Sequence, residues 1–172
     1  MRLRSGSRKL LLSVHLVASV GWIGALAAYL AMDIVIVASG DPGTLRAAYA
    51  GMDLITRTVI VPLAIATLAT GIMLSLGPRW GLFRHYWVVI SLALTVVATM
   101  VLLLETGTIR VLAQVAADPA TTADTLTSLN STLVHSIGGL VLLLAILVLN
   151  VYKPRGLTRY GWRTQSGDPA NL

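Results

Sequence analysis

Apolar and polar positions in this chain fall into long separate blocks instead of alternating. No charge lies between Lys9 and Asp33, and the run LLLSVHLVASVGWIGAL inside that block holds one titratable ring, His15. Three further apolar blocks follow, so spans are expected at about 10–37, 54–76, 86–108 and 133–152. Each reaches the roughly 20 residues that a helix needs to cross the hydrocarbon. Breakers separate the blocks: Ser39-Gly40-Asp41-Pro42-Gly43, Gly77-Pro78 and Asp118-Pro119. Pro62 lies inside the second block, where it should kink the helix or mark its first ordered turns. The pattern predicts an all-α, four-transmembrane-helix bundle, one domain over 1–165 with a disordered tail at 166–172. The first block exceeds the apolar core of a signal peptide, about 7–15 residues, and no small-residue cleavage site follows it; we read it as a span.

Composition strengthens that reading. Of 172 residues, 56% are hydrophobic and only 12% charged. A soluble domain carries about 25% charged residues. So little charge cannot clothe a globular surface, and the lipid bilayer becomes the first expected partner. The chain has no cysteine, which removes disulfides, thiolate ligands, iron–sulfur clusters and thiol catalysis.

Charge then orients the bundle. Arg2, Arg4, Arg8, Lys9, Arg79, Arg84, Lys153, Arg155, Arg159 and Arg163 all flank one end of the spans. The other end holds Arg46, Arg57 and Arg110 together with most of the acidic residues. The positive-inside rule therefore predicts cytoplasmic N and C termini and a multi-pass protein of the cell membrane. The net charge of +6 is a topology signal, with some attraction to anionic lipid, and does not argue for nucleic acid. Trp80, Trp87 and Trp162 read as interfacial belt residues, and the tail KPRGLTRYGWR as a strip along the headgroups anchored by Tyr160 and Trp162.

Candidate chemistry centres on three histidines. An ionisable residue inside a span is by default a candidate for function. His15 sits about five residues, roughly 7 Å, inside the cytoplasmic edge, whereas His135 lies near the outer edge; the two are expected roughly 15 Å apart along the normal. That separation argues against one haem clamped between them. His85, beside Arg84 and Tyr86, reads as an interfacial residue. His15, Ser19 and Trp22 share one stripe of the first span, bordered by Ala18, Gly21, Gly24, Ala25 and Ala28. Trp87, Ser91, Thr95 and Thr99 form a weakly polar ladder in the third span, read as helix–helix glue. Ser131, His135 and Gly138-Gly139 set a ring beside a gap in the side-chain wall.

Two site readings follow. His15 or His135, with Trp22 nearby, could hold haem b; a plain hydrogen bond to a neighbouring helix accounts for His15 equally well. Separately, His135, Glu105 and Asp33 could share a divalent metal near the outer surface, a donor set suited to a hard or borderline cation. The scattered methionines make a poor copper stripe, and no nucleophile–base pair, phosphate loop or HExxH motif is present, so the motifs favour a non-enzymatic role.

The strings HLVASVGWIG (15–24), WGLFRHYWV (80–88) and VYKPRGLTRYG (151–161) resemble a family of small four-helix actinobacterial membrane proteins known as a domain of unknown function. The first string is also loosely similar to CopD copper-resistance proteins and HemJ-type protoporphyrinogen oxidases. The latter resemblance implies haem association through a first-helix histidine, and it carries over onto His15 alone. Those relatives carry a lysine near Ser91 and a histidine near Glu105, so here oxygen stands in for one nitrogen ligand. The expected function is a haem b or metal protein in a respiratory or haem-handling role. The competing expectation is a non-catalytic accessory or assembly subunit that docks on other membrane proteins or on a second copy of itself; copper or ion passage is a weaker third.

Overall fold

In a computed structural model, residues 5–76, 83–129, 132–154, 156–158 and 162 are described. Ser131, Trp80, Tyr160, the Gly77-Pro78 connector and the 166–172 tail, all named above, lie outside the described residues. The described chain is helical and has no strand: α1 is Ser5–Ala38, α2 Pro42–Ile55, α3 Val61–Ser75, α4 Tyr86–Ala117, α5 Ala123–Ser128 and α6 Leu133–Tyr152. Four helical stretches are long and apolar enough to cross a membrane. The protein is an integral membrane four-helix bundle.

The fourth expected span coincides with α6. The others run longer than expected. The second stretch begins at Pro42, not near residue 54, because Asp41 accepts from the Thr44 backbone N–H at 2.8 Å and starts α2 in the loop itself. α2 is amphipathic, burying Leu45, Ala48, Tyr49 and Met52 along one stripe, so hydropathy alone under-reads it. α4 continues past residue 108 to Ala117 for the same reason, with Ile109, Ala113 and Ala116 buried.

Pro62 leaves its mark one turn upstream. Between α2 and α3 the ladder widens into a π-helical turn, Thr56–Ile60, and the Val61 N–H bonds back to the Thr56 carbonyl. Proline has no N–H to offer, and the extra residue in the turn absorbs the mismatch without breaking the helix.

α1 packs on α2, α3 and α6, and α4 packs on the same three, so α1 faces α4 across the bundle. Trp22, Tyr29, Tyr49, Met52, Ile60, Leu143 and Ile146 form its core. Close approach is set by small residues. A Cβ at Gly21 would stand 3.2 Å from Leu63, and one at Gly139 would stand 3.3 Å from Leu26. At the end away from the termini, the Arg46 guanidinium donates to the Ala116, Asp118 and Thr121 carbonyls, the last two at 2.7 and 2.8 Å. It thereby satisfies carbonyls that the end of α4 would otherwise leave open.

At the terminal end the segment after α6 turns back. Lys153 takes the left-handed conformation (φ 45°), and Gly156 to Thr158 then pair with the start of α4: Tyr86 N–H donates to the Gly156 carbonyl at 3.3 Å and Thr158 N–H to Arg84 at 3.0 Å. His85 caps α4 and bridges Leu157. That part of the tail is tied to the bundle by main-chain bonds. Trp87, in the first turn of α4, is buried, while Trp162 is exposed.

Candidate functional site

Two clefts lie in the bundle, the terminal one lined by α1, α3, α4 and α6 and the distal one by α1, the π-turn, α4 and α6. The terminal cleft, about 440 Å³, contains His15, Ser19, Trp22, Thr67, Ser91 and Asn150, with Arg8 and Lys153 at the end where the chain termini lie. The distal cleft, about 270 Å³, contains Trp22, Tyr29, Thr56, Glu105 and His135. Trp22 and Leu143 border both and divide one from the other.

His15 is held from α3. Its Nδ1 lies 3.0 Å from Thr70 Oγ1 on α3. The Thr70 hydroxyl itself donates to the Ala66 carbonyl at 2.6 Å, so it can only accept from the ring. In the neutral imidazole the proton therefore sits on Nδ1, and Nε2 keeps its lone pair. Gly71 lies against the ring, and a Cβ there would stand 3.1 Å from His15 Cε1. Ser19 shares the stripe but spends its hydroxyl on the His15 carbonyl at 2.7 Å. Thr67 Oγ1, buried in the wall of the same cleft, has no hydrogen-bond partner among the described residues.

The ladder on α4 is buried as its spacing predicts, and Ser91 bridges to another helix, accepting from Asn150 Nδ2 at 2.8 Å. Thr95 and Thr99 bond back to the carbonyls of Ser91 and Thr95 on their own helix. Asn150 is the partner that sequence reasoning passed over. Its signal was present, as the one amide inside an otherwise apolar span.

Asp33 is wholly buried and takes no part in the clefts. Thr132 Oγ1 donates to both of its carboxylate oxygens at 3.0 Å, and Ser136 Oγ donates to Oδ2 at 2.7 Å. Tyr29 OH lies 2.7 Å from Thr132 Oγ1 and, since that hydroxyl proton is committed to Asp33, acts as its donor. Tyr29 thus passes a hydrogen bond from the distal cleft to the carboxylate behind it. Sequence spacing missed this network because its hydroxyls come from the start of α6, about a hundred residues away in sequence.

His135 and Glu105 do meet, with Nε2 and Oε1 3.7 Å apart at the mouth of the distal cleft. Asp33 does not join them. Among the described residues no group of three histidine, cysteine or acidic side chains is placed to hold a metal ion. The structure therefore does not bring His135, Glu105 and Asp33 together as a ligand set, because Thr132 and Ser136 draw Asp33 toward the α1–α6 seam. His15 and His135 line different clefts, as the depth argument requires.

No family model matches the chain, and neither a curated protein nor a solved structure does.

Proposed function

We propose that this membrane protein holds haem b in the terminal cleft, with His15 as its axial ligand, in an electron-transfer or haem-handling role. The observation that carries the reading is the Thr70–His15 bond in the wall of the cleft, which orients the ring and, with the proton on Nδ1, leaves the Nε2 lone pair for a ligand. Ligating histidines characteristically donate their other ring N–H to an oxygen in this way. The donor set around it fits the group. Arg8 and Lys153 put positive charge at the terminal end of the cleft, suited to an anionic group, and the Thr67 hydroxyl in its wall has no partner among the described residues. The volume of about 440 Å³ falls within the roughly 300–1,000 Å³ of ordinary ligand pockets. The resemblance of the first string to a haem-associated bundle points to the same histidine.

Bound there, haem would supply one-electron chemistry. The chain's own residues do the rest. Thr70 and Gly71 orient the imidazole, Trp22 closes the inner end of the cleft, and the basic residues favour an anionic edge. With the basic-rich end cytoplasmic, the site opens toward the cytoplasmic leaflet. The test is an absorbance spectrum of the full chain purified after haem-replete expression. A Soret band in the wild type that is absent from His15→Ala supports the proposal; no band in a folded wild type overturns it.

A second reading, an accessory subunit, rests on Gly24 and Gly138, where an added Cβ would meet nothing within 4 Å. Such open small-residue positions suit a docking helix.

A further inference from the structure

The distal cleft is not used by that function, yet it holds a carboxylate and a buried hydroxyl that make no hydrogen bond among the described residues. Glu105 is partly exposed and makes no hydrogen bond among the described residues; His135 Nε2 is 3.7 Å away, beyond hydrogen-bond length and an ion-pair partner only when the ring is protonated. Thr56 Oγ1 is buried, has no partner, and lies in the same lining. A helical threonine usually returns its hydroxyl to the carbonyl four residues back, as Thr58 does to Leu54 at 2.7 Å. Thr56 does not. It stands where the ladder widens into the π-turn, a local distortion common at functional sites. Around these two oxygens the wall is aromatic and aliphatic, with Trp22, Tyr29 and Leu102 among its members.

We propose that the distal cleft binds a protonated amine carried on an apolar body, with Glu105 as its counter-ion and Thr56 Oγ1 as a second acceptor. An ammonium group carries three N–H donors, enough to serve both oxygens at once. Trp22 and Tyr29 line the cleft, aromatic rings attract cations, and the aliphatic wall takes the apolar body. The carboxylate selects charge, since an anion in an apolar site interacts far more strongly with a cation than it would in water. A hard divalent metal fits poorly. It wants six or more oxygen ligands or a complete set of nitrogen and oxygen donors, and the cleft offers one carboxylate, one imidazole and the Thr56 hydroxyl, since the Tyr29, Thr132 and Ser136 hydroxyls are committed to the Asp33 network.

The experiment is equilibrium dialysis of the full chain in detergent micelles against phenethylammonium and its neutral analogue phenethyl alcohol. Phenethylammonium should bind saturably and at least about tenfold tighter than the alcohol, a preference worth about 1.4 kcal/mol. Glu105→Gln should abolish that preference and Thr56→Val should weaken amine binding about two- to tenfold. His135→Ala should retain the preference. If Glu105→Gln does not fold, Glu105→Asp with a wild-type unfolding curve replaces it, and weaker amine binding is expected. Equal binding of the two probes to the wild type overturns the proposal, as does an undiminished preference in a folded Glu105 variant. Displacement of the amine by Zn²⁺ only when His135 is present would overturn it in favour of a metal site.

Discussion

Thr70 Oγ1 accepts from His15 Nδ1 at 3.0 Å because its own proton is already committed to the Ala66 carbonyl, 2.6 Å away. This single relationship fixes the tautomer and makes α3 the positioning element for a ring on α1. Thr70→Val keeps the shape and removes the acceptor. A hydrogen bond between membrane helices is worth about 0.6 kcal/mol and at most about 1.7. Stability in a detergent unfolding titration should therefore fall only slightly. Haem affinity should fall about 10–100-fold, the usual cost of losing such an orienting partner. A variant that binds haem like the wild type would show that Thr70 does not orient a ligand.

Gly71→Ala tests the same ring sterically. Its new Cβ would stand 3.1 Å from His15 Cε1 and 3.7 Å from Nδ1, so the imidazole must shift. The Soret maximum or the axial-ligand signal in electron paramagnetic resonance should change while the helical content stays wild-type. An unchanged spectrum would mean the ring can yield without consequence.

Much of this was legible in the sequence. Four spans, the His15-Ser19-Trp22 stripe and the separation of His15 from His135 follow from hydropathy, helical spacing and depth. The amphipathic α2 was under-read because its buried stripe alternates with Arg46, Asp53 and small residues, which dilutes window hydropathy. The division into two clefts was not legible, since Trp22 joins both linings only once α3, α4 and α6 are in place. The place of Asp33 is not legible for a related reason: a carboxylate near two other donors in depth can still be turned toward hydroxyls on a different helix.

The buried carboxylate makes a stability prediction. Asp33→Ala leaves Thr132 without its acceptor, Ser136 with only the Leu133 carbonyl at 3.0 Å, and Tyr29 at the end of a broken chain. Leaving buried polar groups unpaired costs about 1–3 kcal/mol. Thermal unfolding in detergent should show a clear loss, smaller for Asp33→Asn, which keeps one acceptor oxygen. Equal stability of all three chains would contradict the network.

Arg46 should be irreplaceable by lysine. Its two guanidinium nitrogens reach three carbonyls at the end of α4, a fork that a single ammonium cannot reproduce. Arg46→Lys should raise amide hydrogen exchange in the last turn of α4 and the loop to α5, leaving the terminal end of the bundle unchanged. Uniform exchange along α4 would refute the clamp.

The exposed cap at Asp41 carries a pH signature. Hydrogen bonds from the Thr44 hydroxyl and backbone N–H hold its carboxyl below the ordinary value of 3.8. A depressed folded pKa means the carboxylate stabilises α2 fully above that ordinary value. The contribution is lost as pH falls through the lower folded one. Asp41→Ala should therefore be less stable than wild type at neutral pH, and the difference should shrink on acidification below about pH 4. A gap that persists in acid would assign the effect to something other than the ionised cap.

The most direct test of the central claim is a titration of the purified full chain with haem b, comparing wild type, His15→Ala and His135→Ala. Wild type and His135→Ala should bind one equivalent with the same spectrum, and a folded His15→Ala should bind none with comparable affinity. Retention of binding by His15→Ala, or its loss in a folded His135→Ala, would contradict the assignment of the terminal cleft.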